Sequence, residues 1–170
     1  YNWLYESHLE RGDFLIALGG GVIGDLVGYV AATYMRGLRW AQIATSLLAQ
    51  VDSSIGGKVG IDLPGGKNLV GAFHPPALSL LDINLLGSLP PSQLTAGWAE
   101  VIKHGTILDS HFFQILEQRI DDPADPDLLL LAVRRSVEIK AAIVREDPFD
   151  RGRRAVLNYG HTIAHAIEVC

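Results

Sequence analysis

The stretch FLIALGGGVIGDLVGYVAATYM, Phe14 to Met35, constrains the fold more than any other part of the chain. Phe14 to Leu18 is a short, unbroken apolar run, the composition of a parallel strand buried on both faces. Three glycines follow at once, then Val22, Ile23, Gly24 and Asp25, then a run apolar almost all round that reads as a helix. Strand, glycine turn and helix in this order present bare backbone N–H groups and a helix N-terminus to a phosphate. The expectation is an α/β unit with an anion-binding turn at its strand end.

Gly19, Gly21 and Gly24 satisfy the G-x-G-x-x-G spacing of a dinucleotide fingerprint. That fingerprint also wants an acidic residue about 20 positions further on for the ribose. Ala44, Thr45 and Ser46 stand there instead. The turn is therefore not the first βα unit of an ordinary dehydrogenase, although it can still hold a pyrophosphate. Glycines that only let a helix pack against a strand are the alternative.

A second glycine-rich stretch, TSLLAQVDSSIGGKVGIDLPGGKNLVG, runs from Thr45 to Gly71. After an apolar helical turn with Leu47 and Leu48 come Asp52, five glycines between Gly56 and Gly66, Lys58, Lys67 and Asn68. Such glycines cost backbone entropy unless the chain bends tightly or approaches something closely. A loop that meets a charged ligand is expected here, with a flexible surface loop as the other reading.

Asn2 to Arg11 has helical spacing with Gly12 as its stop, and Leu38 to Ile43 and Leu78 to Leu81 read as further strands. Asp82 to Ser88 reads as a turn. Beyond Pro90 and Pro91 glycine becomes sparse and helical periodicity takes over. The expected division falls near Leu89. Residues 1–89 read as part of an incomplete Rossmann-like α/β nucleotide-binding domain, and residues 90–170 as the start of an all-α domain. Helices are expected over Ser92 to Leu108, over His111 to Arg119, and from Pro126, capped by Asp125, to about Arg145. Both ends read as cut, because no initiator methionine is present and HTIAHAIEVC stops within a helical pattern.

A net charge of −5 offers no basic field to nucleic acid or anionic lipid. No apolar run is long enough to span a bilayer. The single cysteine, Cys170, excludes a disulfide framework and a thiolate metal cluster, so a reducing cytoplasm is the expected setting.

Three places in the helical part carry chemistry. Glu100, Lys103 and His104 stand three and four apart and share one helix face. Lys140 interrupts the apolar stripe Leu130, Val133, Val137, Val144, where a lysine either snorkels to water or meets an anion. His161 and His165 are four apart near a helix start, behind Asn158 and Gly160. Local spacing allows Glu100 with His104, or His161 with His165, as metal-ligand pairs.

Together GGGVIGD, LLAQVDSSIGGK, GGKNLVGAF, GWAEVIKHG and LNYGHTIAHAIE resemble the 3-dehydroquinate synthase family, in that family's order and spacing, over nearly the whole chain from Phe14. The resemblance implies an α/β domain that binds NAD, a helical domain that completes the site, and a divalent metal between them, zinc or cobalt. It assigns Gly21, Val22, Ile23, Gly24 and Asp25 to the NAD pyrophosphate and ribose. Thr45, Ser46, Lys58, Lys67 and the turn Leu85, Leu86, Gly87, Ser88 complete the cofactor contacts. Glu100 and His161 match two of three metal ligands, the third being a histidine expected a short distance past Cys170. Asp52, Lys58, Asn68, Lys103, Lys140, Arg154, Asn158 and His165 match substrate-contacting positions. Ser46 stands where a second threonine is common, Val59 where a threonine is common, and Ala164 where a glycine is frequent.

The implied substrate is 3-deoxy-D-arabino-heptulosonate 7-phosphate, whose carboxylate and phosphate need several cations and amides. The implied reaction is a transient oxidation by NAD, elimination of phosphate, return of the hydride, ring opening and an intramolecular aldol closure to 3-dehydroquinate. A homodimer when full length is also implied. The rivals are another sugar phosphate cyclase, a metal-dependent polyol dehydrogenase of related fold, and an inactive fragment of such an enzyme, poorly active by itself.

Overall fold

A computed structural model describes residues 1–161 of the chain. In chain order its elements are α1 (Asn2–Glu6), β1 (Phe14–Gly19), α2 (Gly21–Thr33), β2 (Arg39–Ala44), β3 (Lys58–Leu63), β4 (Gly66–Phe73) and β5 (Leu78–Leu81). Helices α3 (Pro91–Leu108), α4 (Ser110–Arg119) and α5 (Pro126–Glu146) follow. The architecture is the expected one, a parallel α/β part followed by helices.

Strands β1, β2 and β5 form a parallel sheet in the order β1-β2-β5. The register sets Gly19 beside Ala44 and Ala44 beside Leu81, so all three strands finish on one level. Helix α2 covers one face, where Leu15, Ala17, Ala31, Trp40 and Val59 are buried together. On the other face Phe14, Ile16, Leu18, Leu78 and Leu80 are exposed. This corrects the expectation that β1 is buried on both sides: an unbroken apolar run does not show which of its faces finds a partner.

Two further expectations are corrected. Helix α1 ends at Glu6 rather than Arg11, because His8 adopts φ 54° and the chain turns back so that Leu9 packs beside the core that contains Leu4. The glycine-rich stretch is a β-hairpin rather than a loop: β3 and β4 pair antiparallel, Val59 opposite Ala72 and Ile61 opposite Val70. Its β-branched residues carry the pairing, and the left-handed Gly56 and Gly57 (φ 103° and 66°) make the bend that enters it.

Between β2 and the hairpin, Ala49–Ser53 forms a wide helical turn in which the Ser54 N–H donates to the Ala49 carbonyl at 3.1 Å. Such widened turns recur at functional sites, and this one carries Asp52. Val51 of this turn and Leu47 just before it are buried in the core of the helical part with Trp98, Val101, Phe112, Leu116, Leu128 and Ile143. Burial stabilises each by roughly 1.5–3 kcal/mol. Gly97 of α3 lets that helix approach closely, since a Cβ there would lie 2.6 Å from the Leu47 Cβ. Asp125 caps α5 as expected, accepting from the Asp127 N–H at 3.0 Å ahead of Pro126. No described helix is long and apolar enough to cross a membrane.

Candidate active site

Three groups of residues meet at the level C-terminal ends of β1, β2 and β5. The first is the turn from Gly19 into α2, capped by Gly20 with no side-chain hydrogen bond, so the helix begins on bare N–H groups. The second is Thr45 and Ser46, just past β2; the Thr45 N–H donates to the Gly19 carbonyl at 3.0 Å. The third is the 3₁₀ turn Ile83–Ser88 after β5, capped by the Asp82 carboxylate on the Asn84 N–H at 2.9 Å. The carboxyl ends of parallel strands are where open α/β sheets bind ligands. Uncapped N–H groups there suit a pyrophosphate.

Beside this edge lies a cavity of about 790 Å³ walled by both parts of the chain. Val22 and Asp25 line it from α2, Asp52 from the wide turn, and Lys58 and Asn68 from the hairpin. Lys103, Lys140, Arg154, Asn158 and His161 line it from the helical part. Residues as distant in sequence as Val22 and His161 thus share one wall, and Lys103, Lys140 and Arg154 of the helical part join Lys58 of the hairpin as cations on it.

Lys140 is 6% exposed, and its ammonium pairs with the Asp52 carboxylate and donates to the Asp52 carbonyl at 2.7 Å. Burial lowers the lysine from its ordinary value while Asp52 pulls it back up. For Asp52 burial works against the charged form, but Lys140, joined by Lys103, outweighs it and holds the carboxyl below the usual range. Lys103 pairs with Glu100 and donates to the Leu157 carbonyl at 2.7 Å. Asp25 is pushed up from 3.8 to about 6 by burial and by repulsion from Asp62 and Asp52. Arg154 is buried and donates to the carbonyls of Gly56 and Pro148 at 3.1 and 3.3 Å.

The donor set suits a divalent cation. One ligand atom each from Asp52, Glu100 and His104 lies within 4.8 Å of the others. His104 is fully buried, neither ring nitrogen has a hydrogen-bond partner, and burial lowers its pKa to about 4, so the imidazole is neutral. A neutral imidazole beside two carboxylates is ligand chemistry.

Of the sequence-derived candidates, the cavity therefore gathers Val22, Asp25, Asp52, Lys58, Asn68, Lys103, Lys140, Arg154, Asn158 and His161 on its wall. The strand-end group holds Gly21, Ile23, Gly24, Thr45, Ser46 and Leu85 to Ser88. Lys67 lies on β4 away from the cavity wall. His165 lies outside the described residues. Sequence reasoning missed Asp62, Asp147 and Asp150. The Asp62 carboxylate accepts from the N–H of Asn68 at 3.0 Å, and Asp150 pairs with Lys58. Asp62 sits in the stretch expected to be a loop, and Asp150 lies between the motifs, so neither offered a pattern to read.

The family model described as 3-dehydroquinate synthase N-terminal matches residues 1–96, and that described as 3-dehydroquinate synthase C-terminal matches residues 97–170. A 3-dehydroquinate synthase of Symbiobacterium thermophilum is 52% identical over 170 residues, covering 99% of this chain and 48% of the relative. The chain spans about half the length of the curated relatives it matches. Among solved structures, 2-epi-5-epi-valiolone synthase from Streptomyces hygroscopicus subsp. jinggangensis with NAD+ and Zn2+ bound superposes with a TM-score of 0.91 at 28% identity, over 98% of this chain and 48% of that one. A 2-deoxy-scyllo-inosose synthase complexed with carbaglucose-6-phosphate, NAD+ and Co2+ gives 0.91 at 30% identity, over 99% and 46%.

Proposed function

Because this chain belongs to the 3-dehydroquinate synthase family, we propose that the protein carrying it converts 3-deoxy-D-arabino-heptulosonate 7-phosphate to 3-dehydroquinate and phosphate. The observation that carries this is the convergence of Lys103, Lys140 and Arg154 on one cavity, beside a glycine turn built for a dinucleotide. A substrate with a carboxylate at one end and a phosphate at the other needs separated cations, and Arg154 offers a forked contact.

NAD fits the strand-end turn. Gly21 to Asp25 meet its pyrophosphate and ribose, and Thr45, Ser46, Lys58, Lys67 and Leu85 to Ser88 complete its surroundings. Glu100 and His161 would hold a zinc or cobalt ion; Asp52 and His104, whose ligand atoms lie within 4.8 Å of that of Glu100, add donors on the Glu100 side. When bound, NAD accepts and returns a hydride and the metal polarises a substrate oxygen. The chain's own residues bind and orient. Lys140 and Lys103 stand over the carboxylates of Asp52 and Glu100. Asn68 and Asn158 supply amide donors, His165 is a further substrate contact, and the hairpin adds Lys58 to the wall. The division between the two domains falls near Leu89. The protein acts in the cytoplasm as a homodimer, without nucleic-acid or membrane partners.

The test offers the metal-loaded protein NAD and, in separate reactions, 3-deoxy-D-arabino-heptulosonate 7-phosphate and glucose 6-phosphate. Phosphate release with 3-dehydroquinate formation and no net NADH is expected from the first alone. Turnover of glucose 6-phosphate only would assign the protein to another cyclase. NADH accumulating in step with substrate consumption would make it a dehydrogenase.

A further inference from the structure

Asp147 stands one residue past α5, and its carboxylate accepts from three backbone N–H groups. Arg151 donates at 2.9 Å, Gly152 at 2.8 Å and Arg154 at 3.1 Å. These bonds wrap residues 147–154 around one carboxylate, and they hold its carboxyl below the usual range, the Arg151 N–H first among them. Asp147 itself is not on the cavity wall, but what it fixes is. Arg154 ends the wrapped segment, 4% exposed, and bridges the Pro148 carbonyl of its own loop to the Gly56 carbonyl at the entry to the hairpin. The fit leaves no slack: a Cβ on Gly56 would stand 2.3 Å from Arg154 Nη2. The same loop sets Phe149 edge-on to Phe73 of β4, with ring centroids 5.6 Å apart, and brings Asp150 to Lys58.

We propose that Asp147 is the positioning residue for Arg154, ordering its guanidinium before an anionic substrate arrives. A free arginine side chain loses rotamer freedom when it grips an anion, and a pre-ordered one has already lost it. Asparagine at this position keeps the shape but sets an NH2 against backbone donors, so at least one of the three bonds is lost. The inference rests on the reading of Arg154 as a substrate-anion contact.

The test is a double-mutant cycle on the metal- and NAD-loaded enzyme with 3-deoxy-D-arabino-heptulosonate 7-phosphate, comparing D147N, R154Q and the double variant. D147N is expected to raise KM about tenfold, with a much smaller change in kcat. It should also speed amide exchange over residues 151–154, and it should add nothing in the R154Q background. Should D147N not fold, Asp147→Glu, which keeps two acceptor oxygens on a longer arm, takes its place in the same cycle. A KM penalty that is equal with and without Arg154, or a lowered Tm with unchanged KM, overturns the positioning role alone. If R154Q leaves KM at the wild-type value, the reading of Arg154 fails, and this inference with it.

Discussion

Asp25 illustrates how a single side chain in this site is tuned against its own charge. Burial and the facing carboxylates of Asp62 and Asp52 raise it to about 6, with Lys140 pulling the other way. An unfolded aspartate releases its proton near 3.8, so between those two values the folded state binds more protons. The stability Asp25 contributes is therefore complete below about pH 4 and is lost as pH rises through about 6. Asp25→Asn removes that loss. The variant should be more stable than wild type by roughly 1–2 kcal/mol at pH 8, the full shift being discounted for partial exposure, and should lose the advantage near pH 4. Urea unfolding of both proteins at the two pH values decides this, and parallel profiles would refute it. In sequence Asp25 is legible as part of the glycine turn, and Lys140 as a cation misplaced on an apolar stripe. Asp62 and Asp150 are not, because the partner of each is set by a strand pairing or a loop closure that only the folded chain defines.

Among the elements, helix α2 depends on how near it comes to the sheet. At Gly28 a Cβ would meet Val59 Cγ1 at 2.4 Å and Trp40 Cζ2 at 2.8 Å. Alanine favours a helix over glycine by about 1 kcal/mol, and overpacking a tight contact costs roughly 1–3 kcal/mol. Gly28→Ala is expected to lower stability by about 1 kcal/mol or more on balance, while Gly65→Ala, with nothing within 4 Å, stays near wild type. Denaturant midpoints for the two variants are the check; a stabilised Gly28→Ala would show that α2 has room to move. Helices and strands with a clear period or clear caps, α3, α5 and β5, were readable from sequence almost to their ends. The hairpin was not, because glycines spaced along paired strands carry the same signature as glycines in a loop.

Among the described residues, the sheet face of Phe14, Ile16, Leu18, Leu78 and Leu80 is a broad apolar surface left exposed. A contiguous patch of this kind marks a contact surface or a route to association. The 170-residue chain is expected to self-associate through it. Ile16→Thr combined with Leu18→Thr should weaken that association about tenfold or more, read by sedimentation velocity across a concentration series. Unchanged association would place the contact elsewhere. The succession of a parallel α/β part and helices was legible because glycine gives way to helical periodicity along the chain. The way the parts interlock was not, since the joining residues look like any other apolar turn.

Leu47 and Val51 come early in the chain yet lie among the innermost side chains of its later half. Severing the polypeptide where its composition changes would strip the helices of that plug and leave the groove beside Gly97 hollow. The two halves thus fold as lock and bolt, and the acid that faces the cavity is mounted on the bolt.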